Sequence, residues 1–323
     1  VEDSCGALVV ARAARAVMRP ADRGTSPQPG SVTGRRRRAV WTGAIVTAAL
    51  TIGTVSLSEA HDFWIIPHAF SAPLDARLAV RGQTSSLFPS SVSAVTPDRI
   101  AEARVLTADR DVAISDFRVD GTSLVLGHRP TGAGQHVIGV RIAPRNVRES
   151  PTSFRRYLDL EGAPEARLRY EREGRLPPVG GDSITRRYAK YAKTFVEVGT
   201  GRRAFSRTLG HPLEIVPLSD PGALRLGDTL RLRLLMLGKP AAAAKLHAGS
   251  VPASMVLADT VAARRAAAGD VSVETDGTGA VAIPLRSAGL WNVRTIQIVP
   301  AEKGSGADWD VHWATITFVV KNR

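Results

Sequence analysis

After His61 the apolar residues come in short stretches rich in Val, Ile and Leu, each closed by Gly, Pro, Asp or Ser. Phe63 to Ile66, Ala76 to Val80, Ala103 to Thr107, Val112 to Val119, Ser123 to Gly127 and His136 to Ile142 succeed one another in this way. Runs of that length, β-branched and separated by turn formers, are strand signals. Val119-Asp120-Gly121-Thr122 has the composition of a tight hairpin turn. The spacing predicts an antiparallel β-sandwich over residues 61–149.

The pattern changes between residues 150 and 204. Phe154, Tyr157, Leu158 and Leu168 sit at helical spacing amid dense Arg and Glu, which predicts a short helical insert over residues 153–175. Tyr188 to Val198 then leads back into β-structure. From residue 205 to 323 the strand signals resume at Leu213 to Leu218, Thr229 to Leu237, Ala244 to His247, Ala253 to Leu257, Val271 to Thr275, Ala280 to Leu285, Trp291 to Val299 and His312 to Val320. Gly238-Lys239-Pro240, Thr275-Asp276-Gly277-Thr278-Gly279 and Gly289-Leu290-Trp291 give this half the layout of a carboxypeptidase-regulatory or transthyretin-like module. The expected class is therefore mainly β, with two antiparallel β-sandwich domains of Ig-like or transthyretin-like type and a short helical insert, after a signal peptide.

That signal peptide is read from residues 35–60. Arg35 to Arg38 form a charged start, Ala39 to Leu57 an apolar run, and Ser58 and Ala60 the small residues of a cleavage site. Arg37-Arg38-Ala39-Val40-Trp41 also has a twin-arginine shape. Residues 1–34 carry no sustained period and read as disordered or as an over-extended gene start. Cleavage after Ala60 implies a periplasmic protein; an uncleaved apolar run, long enough to span a bilayer, would anchor it instead. The single cysteine, Cys5, precedes the cleavage point, so the mature chain expects no disulfide and no disulfide-linked partner. Net charge is +13, and eight arginines against four acids before His61 leave +9 for the rest. The remaining basic residues are mostly arginine and thinly spread, which reads as a solvated surface with no nucleic-acid partner.

Five motifs together resemble a known family. They are His61-Asp62-Phe63-Trp64, Tyr188-Ala189-Lys190-Tyr191-Ala192-Lys193, Pro212-Leu213-Glu214-Ile215-Val216-Pro217-Leu218, Gly289-Leu290-Trp291, and Asp308-Trp309 with Trp313. In this order they resemble the exported domain-of-unknown-function family often labelled the periplasmic component of cobalt or nickel uptake. The resemblance spans residues 61–323. It implies a periplasmic β-rich protein with a carboxypeptidase-regulatory-like second half, a link to divalent transition metals, and a membrane metal transporter as partner.

The residues themselves offer one chelate. Cleavage before His61 would leave its α-amine beside its imidazole, a pair that Cu, Ni or Co accepts. His312, close to Asp308 and Asp310, and His68, beyond Pro67, are the candidate further ligands; His68 needs a turn to reach the side of His61, because seven positions put the two on opposite faces of a regular strand. No HExxH or CxxC, nucleophile elbow or phosphate loop accompanies them, so no catalytic residue is assigned. The expected function is a non-enzymatic periplasmic protein binding or delivering one divalent transition metal. Its alternatives, in order, are a structural or interaction module, with carbohydrate stacking on Phe63, Trp64, Tyr188, Tyr191, Trp291, Trp309 and Trp313 as one form, and a histidine-brace copper oxygenase.

Overall fold

In the computed structural model, residues 61–161, 163–252 and 268–323 are described. The expected signal peptide with its cleavage point and the expected strand Ala253 to Leu257 lie outside them. The chain is mainly β. A four-stranded antiparallel sheet has the order β1 (Asp62–Pro67), β3 (Leu78–Ser85), β7 (Ser123–His128) and β6 (Asp116–Asp120). A second small sheet places β10 (Leu213–Pro217) beside β11 (Thr229–Met236), which also pairs with β12 (Lys239–Pro240) and β15 (Ala280–Pro284).

Between them runs a nine-stranded sheet. Its path is β14 (Ala268–Glu274), β13 (Lys245–Val251), β16 (Gly289–Pro300), β17 (Trp309–Val320), β9 (Ile184–Val198), β8 (Gly134–Glu149), β4 (Ile100–Leu106) and β5 (Asp111–Ala113), with β2 (Ser71–Ala72) against the end of β9. The two sandwiches share this sheet through β9, whose side chains alternate between two cores. Tyr191 and Phe195 enter the core beneath β10, β11 and β15, whereas Ala192, Val196 and Val198 enter the core beneath β1, β3 and β7. The seam with β17 is a parallel pair, running from Trp309 opposite Arg186 to Thr317 opposite Thr194. Every other pairing among the longer strands is antiparallel.

Local sequence explains the elements. Strand β1 reads Asp-Phe-Trp-Ile-Ile-Pro without polar interruption because both its faces are buried. Phe63 and Ile65 fill the N-terminal core, while Trp64 and Ile66 pack with Val251 and Leu290. The hydroxyls of Thr315 and Thr317 donate to the carbonyls of Phe63 and Ile65 at 2.7 and 2.5 Å, fixing β1 to β17. The β6–β7 hairpin turns at Gly121, whose φ of 57° is the left-handed geometry a tight turn needs.

The insert is a pair of helices, α1 (Pro151–Leu160) and α2 (Pro164–Arg172). Ser150 caps α1 by accepting from the Ser153 amide, and Pro occupies the first turn of each helix, where no amide donor is required. Phe154, Tyr157, Leu158 and Tyr170 bury themselves against Tyr188, Trp309, Val311 and Trp313. No helix among the described residues is long and apolar enough to cross a membrane.

Candidate functional site

His61 stands immediately before β1, half-buried. Its Nδ1 lies 2.7 Å from the Ser86 hydroxyl, and its carbonyl accepts from Lys190 Nζ at 2.5 Å. Burial and then the Lys190 charge hold the imidazole below its ordinary pKa. Asp62, 6 % exposed, lies 3.5 Å from Arg294 Nε. Glu161, at the end of α1, is pushed up to about 7 by burial and by Asp62. Burial pushes Lys190 down to about 8, against the pull of Asp62 and Glu161. Strands β1, β9 and β16 and helix α1 thus meet in a cluster of mutually coupled charges.

Beside that cluster opens a cleft of about 350 Å³, lined by Thr84, Val95, Arg99, Arg145, Tyr188 and Lys190 among others. Asp98 is its one acid against three cations. Lys190 and Arg99 spend their hydrogen bonds on neutral carbonyls, those of His61 and of Ala143. Both residues line the cleft, and neither of these bonds is made to a carboxylate.

The three expected metal ligands are not brought together. His68 is exposed beyond the far end of β1, roughly 20 Å of strand from His61 at about 3.3 Å per residue. His312 lies on β17 opposite Ala189, with the core of β10 and β11, while Thr315 and Thr317 on the other face of β17 hold β1. His61 and His312 are therefore separated by the thickness of the shared sheet. His312 Nδ1 meets the Tyr191 hydroxyl at 3.0 Å, and Tyr191 stacks on it and makes a tilted ring contact with His211. Asp310 is held by Arg187 at 2.6 and 2.9 Å, and Asp308 accepts from the Thr185 amide. Among the described residues no three His, Cys, Asp or Glu side chains gather in a form that could hold a metal ion. Lys190 stands at the His61 carbonyl, with Asp62 and Glu161 as the acids of the same cluster. The seven aromatic residues weighed as a stacking platform are all buried, from Trp64 at 0 % to Tyr188 at 5 % exposure.

A pair of histidines passed over in the sequence is more instructive. His128 ends β7 and His136 begins β8, with ring centres 5.7 Å apart. Each continues an inward row, Leu124-Leu126-His128 and His136-Ile138-Val140, whose apolar members belong to the same core. That alternation is the signal by which the pair could have been found.

Fold and site define a β-sandwich protein with a polar, cationic cleft at the start of its first strand. The chain belongs to the family described as Domain of unknown function (DUF4198), which it matches over residues 58–298. No curated protein matches the chain. Among solved structures it is similar to alpha-2-macroglobulin of Escherichia coli activated by porcine elastase, at 9 % identity and a TM-score of 0.21 over 81 % of this chain and 20 % of that one. It is also similar to a DUF4785 family protein of Legionella pneumophila, at 7 % identity and a TM-score of 0.21 over 80 % and 46 %. The adhesin InvE of Yersinia pseudotuberculosis matches at 13 % identity and a TM-score of 0.18 over 81 % and 59 %. The chain thus spans less than two thirds of each of these proteins, and likeness at such TM-scores carries no argument about activity.

Proposed function

We propose that the protein is an exported, periplasmic, non-enzymatic binding module that holds a small anion in the cleft beside His61. The observation that carries this reading is the placement of Lys190 and Arg99, with Arg145, on the wall of one cavity. The cavity, about 350 Å³, is at the small end of ligand pockets, which run from roughly 300 Å³ upward. Three cations against one acid give the lining a positive balance, which suits a compact carboxylate or phosphate. Export is supported by the leader pattern of residues 35–60. The metal-delivery reading, with a membrane transporter as partner, has less support, because Lys190 disfavours a second cation at His61.

Calorimetry with succinate and with inorganic phosphate as probes tests this reading and tells the two anion classes apart. One-site binding of one of them is expected, weakened at least about tenfold, or about 1.4 kcal/mol, by Arg99→Gln. Arg231→Gln, on the exposed side of β11, should leave it unchanged. Absence of binding by both anions, or equal binding by all three proteins, overturns the assignment.

A further inference from the structure

His128 and His136 are buried, at 9 % and 1 % exposure, at one end of the N-terminal sandwich. They come from opposite sheets, β7 from the four-stranded sheet and β8 from the nine-stranded one. His136 Nε2 lies 2.9 Å from the Gly132 carbonyl. A carbonyl can only accept, so Nε2 carries the hydrogen and Nδ1 keeps a bare lone pair. That Nδ1 is buried without a hydrogen-bond partner, and so is His128 Nε2. Two buried imidazole nitrogens left in this state are costly unless each finds a partner.

We propose that His128 and His136 together bind one divalent transition cation, linking the two sheets of the N-terminal sandwich. Metal–nitrogen bonds of about 2.0–2.1 Å, at angles from tetrahedral to trigonal, hold the centres of two imidazoles roughly 5–6 Å apart. The observed separation of 5.7 Å falls in that interval without movement of either strand. The hydrogen bond from His136 Nε2 to a backbone carbonyl is the outer contact that typically orients a ligating histidine and fixes its tautomer. Burial holds both rings below their ordinary pKa, His128 down to about 4, so both are neutral and ready to ligate at pH 7. The nearby charge acting on His136 is the Glu197 carboxylate, itself paired with Arg203, in contrast to the Lys190 ammonium beside His61. No third His, Cys, Asp or Glu joins the pair among the described residues, so water or backbone carbonyls complete the coordination. Imidazole pairs of this kind suit Cu(II), Ni(II) and Zn(II), with Cu(II) bound tightest.

The test is titration of the chelator-stripped full chain with Cu(II), read by calorimetry and by the nitrogen couplings of pulsed electron paramagnetic resonance. One Cu(II) with two coupled imidazoles is expected. His128→Asn and His136→Asn should each weaken binding at least about tenfold, whereas His61→Ala and His312→Ala should leave it unchanged. The resonance spectrum of the unsubstituted protein stands even where a variant fails to fold. A spectrum with one imidazole or none, affinity retained in the double variant, or no binding at all overturns the proposal; in the last case the pair encloses only water.

Discussion

Lys193 and Glu214 meet at 2.6 Å inside the C-terminal sandwich, with side-chain exposures of 3 % and 2 %. Lys193 also donates to the Ile215 carbonyl, and Glu214 accepts from the amides of Leu209 and Gly210, so the charges share a satisfied network. The pair ties the central strand β9 to β10, the first strand of the small sheet above it. Removing one partner leaves an uncompensated buried charge, which typically costs about 3–5 kcal/mol. Glu214→Ala should therefore lower the urea midpoint sharply, while the joint replacement Lys193→Met with Glu214→Leu should recover most of the loss. Equal destabilisation by single and double variants would show that packing, and not the unpaired charge, sets the cost.

His211 makes acid stability measurable. Burial drives its pKa down to about 4, with Lys193, Arg104 and Arg141 adding to the shift and Glu214 opposing it. The unfolded chain protonates this residue near pH 6.5, whereas the folded chain stays neutral until about pH 4. Between those values the unfolded state binds the extra proton, so stability falls as pH falls, by on the order of 3 kcal/mol across the window. His211→Asn should reduce the slope of this limb, which His128 shares, in a plot of unfolding free energy against pH. Parallel limbs in the two proteins would remove His211 as the cause.

Much of this architecture can be read from the sequence, and the exceptions have physical reasons. Short apolar runs bounded by turn formers locate β1, β7, β10, β11 and β15 to within one or two residues, because each carries apolar side chains that must be buried. The run from Val112 to Val119 breaks into β5 and β6, which lie in different sheets, since Ile114 and Ser115 carry the crossover between them. Strand β8 extends to Glu149, past the last apolar residue of its run, because β9 pairs with it on either side of an irregularity at Ile142 to Arg145. Sharing of one sheet by both sandwiches is invisible to local pattern. It depends on β17 lying parallel to β9, more than a hundred residues away, and the same pairing puts His312 on the face opposite His61. Burial of Lys190 and Lys193 was equally hidden, because Tyr-Ala-Lys-Tyr-Ala-Lys looks amphipathic until β9 is seen to be covered on both sides.

Gly139 offers a test of that coverage. A Cβ placed there would lie 2.2 Å from Leu209 Cδ1, in the loop that precedes β10. Leu209 is 4 % exposed and its amide is held by Glu214, so it has little room to retreat. Gly139→Ala should destabilise the chain by about 1–3 kcal/mol, the usual cost of overpacking a filled core. Thermal unfolding of Gly139→Ala alone and with Leu209→Ala separates the causes: the second substitution should relieve the first, and strictly additive losses would place the strain elsewhere.

The helical insert completes the sheet, because α1 and α2 cover the aromatic end of β17. Phe154, fully buried, packs 5.3 Å from Trp309 between ring centres, and Tyr170 meets the same indole edge-on at 4.8 Å. Trp313 Nε1 donates to the Tyr157 hydroxyl at 3.1 Å, and the Arg186 guanidinium lies 3.8 Å from the centre of the Tyr157 ring. Tyr157→Phe leaves that buried indole donor without its acceptor, at a cost of about 1–3 kcal/mol. Phe154→Ala opens a cavity against Trp309 and should cost about 3–5 kcal/mol. In both variants tryptophan emission should shift to the red as water reaches the indoles, and the shift should be larger for Phe154→Ala. An unchanged spectrum with unchanged stability in Phe154→Ala would show that the helices do not dock on β17.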